Sequence, residues 1–237
     1  MDALITAATS ADERQRGAKI AVLPVGSFEQ HGAHLPLTTD TVVAGLIAQR
    51  IATDYDLFLL PPVTVSCSHE HAHMPGTVSI SAATLYAVVN DIRKSLQASG
   101  VPSLLIVNGH GGNYVLSNVV QESNTSGPSV ALFPAREDWH QARDAAGLES
   151  SSAEDMHGGE LEVSLLRHGA PHLIRDGIEG DDHSAPDRPH LLTLGMAGYT
   201  ENGIIGSPSL GTAGKGQALL DSLSKSAAAH LALLRTT

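Results

Sequence analysis

The chain of 237 residues contains a single cysteine, Cys67, so no disulfide can form within it and nothing in it calls for an oxidising compartment. Positive charge is also scarce: 14 Lys and Arg stand against 25 Asp and Glu, a formal net charge of -11. A surface of that sign repels phosphate backbones and acidic leaflets, which argues against nucleic acid or a membrane as a partner. No apolar run is long enough to span a bilayer. The opening Met1-Asp2-Ala3-Leu4, soon followed by Asp12, Glu13, Arg14 and Arg16, lacks the basic start and apolar stretch of a signal peptide. The expectation is a cytoplasmic protein folded as one domain over residues 1–237. Aromatics are few as well, three Phe, four Tyr and one Trp, and beside them thirteen histidines are out of proportion. That ratio points to metal or proton chemistry.

Short β-branched and aliphatic runs alternate with longer helical patterns, the signature of β-α-β units around a mostly parallel sheet. The runs fall at 19–25, 57–60, 63–65, 103–107 and 129–133. Val42, Val43, Leu46, Ile47 and Ile51 recur at helical spacing over 41–52, as do Leu85, Val88, Val89, Ile92 and Leu96 over 82–96. Ser81 reads as an N-cap and Gly100-Val101-Pro102 as a stop. Further helices are expected after Asn113, from near Glu160, and over 215–234. The polar stretch 177–189 reads as an exposed loop, either covering a site or simply solvated. There is no internal repeat.

Three clusters could carry chemistry. The first, Pro24 to Pro36, leaves the first strand with too many glycines and prolines for a helix. If extended, it turns Glu29 and His31 to one side and Gln30 to the other. Asp40 stands where a helix should begin, and a carboxylate there either caps the helix or bridges two cations. The second is Asn108-Gly109-His110-Gly111-Gly112-Asn113, at the end of a buried strand, the edge where open α/β sheets bind ligands. It has neither the spacing nor the Lys of a phosphate-binding loop. The third is His157-Gly158-Gly159-Glu160-Leu161-Glu162 before an apolar helix, read either as an acid-rich helix start or as part of an active site. On a helix Glu160 and Glu162 aim in different directions, so one suffices as a ligand. His69, His71 and His73 alternate and would share a strand face. Trp139 and His140 read as a packing residue and its neighbour, and Cys67 as a small core residue.

Taken in order, Val25-Gly26-Ser27-x-Glu29-Gln30-His31-Gly32-x-His34-Leu35-Pro36, then Asp40, then Asn108 to Asn113, then His157-Gly158-Gly159-x-x-Glu162-x-Ser164 resemble the motifs of the creatininase family of amidohydrolases. Met74-Pro75-Gly76-Thr77-Val78-Ser79 and Gly203 to Pro208 resemble its lesser motifs. The resemblance implies an α/β three-layer sandwich with a mostly parallel central sheet, a homohexamer, and two divalent cations, Zn with Zn, Mn or Fe. Glu29 and His110 would bind one metal and His31 the other, with Asp40 bridging. Creatininase itself carries a Glu where this chain has Gly112, which makes Glu162 the expected further ligand and Glu160 its reserve. His157 matches the histidine assigned to proton transfer, and His71, Gly111, Gly112 and Asn113 are expected around the substrate pocket.

The resemblance implies that such a centre would cleave an amide C–N bond, with metal-held hydroxide as the expected nucleophile and His157 expected to protonate the departing nitrogen. The substrate expected is a cyclic amide or N-acyl metabolite. Short-peptide trimming, as of the mycofactocin precursor, and formamide hydrolysis are the enzymatic alternatives. A metal-binding scaffold is the non-enzymatic one.

Overall fold

The computed structural model describes residues 5–235. Strands β1 (Ile20–Val25), β2 (Phe58–Leu59), β3 (Ser103–Asn108) and β4 (Val130–Phe133) form one parallel sheet in the order β2-β1-β3-β4. A parallel sheet needs both faces covered, so its strands are apolar throughout rather than alternating with polar residues. Ile20, Val22, Leu105 and Val107 face one apolar layer, and Ala21, Leu23, Leu104 and Ile106 face the other.

Among the described residues, α1 (Ser10–Arg16) precedes β1, and α2 (Thr39–Tyr55) and α3 (Ala82–Ala98) follow it in turn. After β3 come α4 (Val115–Ser123), α5 (Arg136–Ala146), α6 (Glu160–Gly169), the single turn α7 (Leu191–Leu194) and the long α8 (Ala213–Leu234). Helices α2, α5, α6 and α8 pack on the first face and α3 and α4 on the second, giving the expected three layers. Leu219, Leu220, Leu223, Ala227 and Leu231 of α8 recur at three- and four-residue spacing and are buried. Each buried Leu contributes on the order of 2 kcal/mol of transfer free energy.

Some expectations need correction. The run at 63–65 makes only a single bridge, Val25 to Val63, instead of a strand. His69–His71 is a turn of 3-10 helix, so the alternating histidines do not share a strand face. Helix α5 was not anticipated, because within it only Trp139 and a few alanines are apolar. The stretch 177–189 is tied down rather than free: His34 pairs with Asp181, the His183 backbone bridges Gly206, Ser209 donates to Asp182, and Arg188 donates to the Ala153 carbonyl.

Candidate metal centre

Val25 of β1 lies opposite Asn108 of β3, so the segments following both strands leave the sheet at one place on its carboxyl edge. The first turn of α2 presses into the gap between them. A Cβ on Gly26 would stand 2.4 Å from the Thr41 nitrogen, and one on Gly109 2.4 Å from the Asp40 carbonyl oxygen, so no larger residue permits this approach. The result places Asp40 between His31 and His110. Helix α2 begins at Thr39, with Thr38 at the cap making no side-chain bond, so Asp40 is not the capping residue. Its carboxylate divides instead, with Oδ1 3.2 Å from His31 Nε2 and Oδ2 3.1 Å from His110 Nδ1. The Ser27 hydroxyl donates to Oδ2 at 2.6 Å.

Backbone contacts fix which nitrogen of each ring faces the centre. His31 Nδ1–H donates to the Glu29 carbonyl at 3.1 Å, leaving Nε2 inward. His110 Nε2–H donates to the Cys67 carbonyl at 2.8 Å, leaving Nδ1 inward. His157 Nε2–H donates to the Gln30 carbonyl at 2.7 Å, so its Nδ1 turns toward Glu29 Oε1, 3.8 Å away. Glu29 is fully buried and neither of its carboxylate oxygens accepts a hydrogen bond, although His110 and His71 approach Oε1 to 3.2 and 3.3 Å. A buried carboxylate without hydrogen bonds is costly unless a cation completes it.

The third cluster closes the centre. Glu162 Oε2 lies 3.8 Å from His31 Nε2 and accepts from the Gly158 N–H at 2.6 Å. Glu160 is turned away into a separate buried pair, accepting from Lys215 Nζ at 2.6 Å and from the Ser150 N–H at 2.9 Å, so its reserve role as a ligand fails. Burial pushes the Glu162 carboxyl up to about 8, opposed by His31. Burial and Asp40 likewise raise Glu29. Burial opposes charge on His31, yet the Asp40, Glu162 and Glu29 carboxylates lift it to about 9, and His110 is raised by Glu29 and Asp40 in the same way. All four shifts favour proton uptake where the donor set would hold cations, and metal binding would compete with those protons.

Two trios have ligand atoms within 4.8 Å of one another, His31-Asp40-Glu162 and Glu29-Glu70-His110, and a third is Glu29-His31-His157. These oxygen and imidazole donors, with no thiolate, suit a borderline or hard divalent cation. The residues fit a metal site.

Around it, the expected pocket residues separate. Gly111 lines a cavity of about 440 Å³ that reaches His157 and Glu162, together with Trp139, His140 and Arg136. Trp139 and His140 thus border the site as well as packing near it. Gly112 lines a different cavity of about 420 Å³, with Glu70, His69 and Leu192. His71 is 1% exposed between Glu29 and Gln30, not at a pocket edge. Asn113 is a bracket: its amide oxygen accepts from the Cys67 N–H and its amide nitrogen donates to the Gly26 carbonyl. Gln30, expected to face elsewhere, joins the centre, where its amide nitrogen lies 2.9 Å from His71 Nδ1 and 3.3 Å from His157 Nε2. Period-two alternation does not hold here because this segment is irregular rather than a regular strand. Glu70 had only its position beside three histidines as a signal.

The profile of the Creatininase family, described as creatinine amidohydrolase, matches residues 5–231. The chain is 33% identical over 208 residues to a mycofactocin precursor peptide peptidase from Mycolicibacterium smegmatis, covering 84% of this chain and 78% of that one. It is 25% identical over 219 residues to a creatinine amidohydrolase from Pseudomonas putida, with coverage of 85% and 84%. A solved creatininase superposes with a TM-score of 0.80 at 22% identity, over 98% of this chain and 97% of that one, which shows the same fold. Solved creatininases of this fold include forms named for Zn-Zn and for Mn. With the family match running almost the full length and the donor set in place at the sheet edge, the chain belongs to the creatininase family of metal-dependent hydrolases acting on C–N amide bonds.

Proposed function

We propose that the chain binds two divalent cations, Zn with Zn, Mn or Fe, and hydrolyses the amide bond of a cyclic or N-acyl metabolite. One observation carries the two-cation reading: Asp40 offers one carboxylate oxygen to His31 and the other to His110. Glu29 and His110 would hold one cation, and His31 and Glu162 the other, with Asp40 shared. Bound there, the cations supply Lewis-acid polarisation of the amide carbonyl and make a water nucleophilic at neutral pH.

The remaining work belongs to the chain. Gln30 fixes the His157 ring through its carbonyl, so Nδ1 is the atom turned inward. From there it would take a proton and return it to the departing nitrogen. The cavity beside His157 and Glu162 would seat the substrate against Trp139, with Arg136 at its lining. A second reading, trimming of a short peptide, is favoured by the 33% identity to the mycofactocin precursor peptidase. We place the protein in the cytoplasm as a homohexamer with no nucleic-acid or membrane partner; the lone Cys67, the net charge of -11 and family membership support this.

Metal analysis combined with a panel of creatinine, formamides, N-acyl amino acids and short peptides tests the proposal. Metal-dependent release of amine from one class is expected, and Glu29→Gln or His110→Ala should abolish both tight metal retention and turnover. Full activity in either variant overturns the mechanism. Retained metal with no hydrolysis across the panel would favour the scaffold.

A further inference from the structure

His110 is held from behind by an arrangement that the proposed ligand set does not use. Its Nε2–H donates to the Cys67 carbonyl, and Glu70 Oε1 stands 3.3 Å from that same nitrogen, while the other ring nitrogen, Nδ1, meets Glu29 and Asp40. Glu70 reaches this place from the 3-10 turn His69–His71, not from either strand-end loop. Two features keep it there. A Cβ on Gly112 would lie 2.1 Å from Glu70 Oε1 and 2.4 Å from His110 Nε2, so only glycine at 112 leaves room for the carboxylate beside the ring. Across the turn, Gly195 adopts a positive φ of 64°, and a Cβ there would meet the Glu70 carbonyl oxygen at 2.7 Å. The connection after α7 thus seats directly on the Glu70 backbone.

We propose that Glu70 is a positioning residue for the metal centre: its carboxylate, lodged in the space vacated at Gly112, acts through His110 to strengthen Nδ1 as a metal donor. The physical basis is polarisation. A negative charge beside Nε2–H stabilises that tautomer, keeps the Nδ1 lone pair free and raises its basicity, the usual work of an outer carboxylate on a metal-binding imidazole. The Cys67 carbonyl sets the ring's direction, and Glu70 adds the charge. The 3.3 Å contact pairs Glu70 with His110, and since its donor atom also lies within 4.8 Å of those of Glu29 and His110, direct ligation is the competing role that the test separates. The inference rests on His110 being a ligand, as proposed above.

The test is Zn(II) affinity, measured on the full-length protein by competition with a chromophoric chelator, for Glu70→Gln, Glu70→Ala and Glu29→Gln. Glu70→Gln fills the same space without charge. It should bind Zn(II) roughly 10–100-fold more weakly while the metal-free protein melts at the wild-type temperature. Wild-type affinity in Glu70→Gln, with Glu29→Gln losing metal, overturns the role of Glu70 and leaves the centre intact. Wild-type affinity in all three variants overturns the centre itself. If Glu70→Gln melts early, Glu70→Ala decides: unchanged affinity in its folded fraction marks Glu70 as structural and overturns the proposal. Co(II) absorption supplies the last check, since altered coordination bands in Glu70→Gln would make Glu70 a direct ligand and overturn a role through His110.

Discussion

Two glutamates two positions apart, Glu160 and Glu162, have opposite duties, and burial with its partners decides which. Burial alone would raise Glu160, but the Lys215 ammonium, the Ser150 hydroxyl and the N–H groups of Ser150 and Glu149 outweigh it and hold the carboxyl below the usual carboxylate range. A carboxyl whose folded value is depressed adds stability above its unfolded value near 4.3, and that stability is lost as pH falls through the folded value. Lys215→Met removes the cation from a fully buried carboxylate and should cost about 3 kcal/mol in chemical denaturation at pH 7. It should also move the onset of acid unfolding to higher pH, because the folded-state value rises. An unchanged acid transition would show that the neutral donors suffice. The place of Glu162 at the centre could be read from the family motif, but the diversion of Glu160 could not, since Lys215 lies on another helix far along the chain. Glu29, His31, Asp40 and His110 were legible because each sits in or beside a strand-end segment. The inward turn of Gln30, and the place of His71 against Glu29 instead of at a pocket edge, were not, because irregular backbone obeys no period.

At the scale of the element, the site depends on how closely α2 approaches the ends of β1 and β3. Gly109→Ala would place a methyl group against the Asp40 carbonyl, and overpacking of this kind costs about 1–3 kcal/mol. The variant should lose metal retention along with stability, since any retreat of α2 carries Asp40 away from both histidines. Thermal melting with metal analysis checks this, and a stable variant with full metal content would refute the argument. Strands β1, β3 and β4 and the long helices were readable from the sequence because each carries a dense apolar pattern tied to one period. Helix α5 was obscured because its segment, Arg136 to Ala146, is dominated by charged and polar side chains and rests on the core through few residues. The two-residue β2 and the lone bridge at Val63 show the converse: a short apolar run, here only partly buried, does not set how far the pairing extends.

For the whole molecule, the centre gathers Glu29, Asp40, Glu70 and Glu162 into one protein-lined space within a chain already at a net charge of -11. A cation that binds only the folded form should stabilise it by about 2.7 kcal/mol at one hundred times its dissociation constant, or roughly 5–10 °C for a domain of this size. Differential scanning with Zn(II) against chelator measures this, and Glu29→Gln should show almost no difference between the two conditions. The donors come from four stretches of chain, the earliest just after β1 and the latest at the start of α6. During synthesis the first donors therefore emerge long before the last, and no fragment ending before α6 can assemble the complete set. Uptake of metal would then report that the chain has closed upon itself, which would make a bound cation a marker of finished assembly.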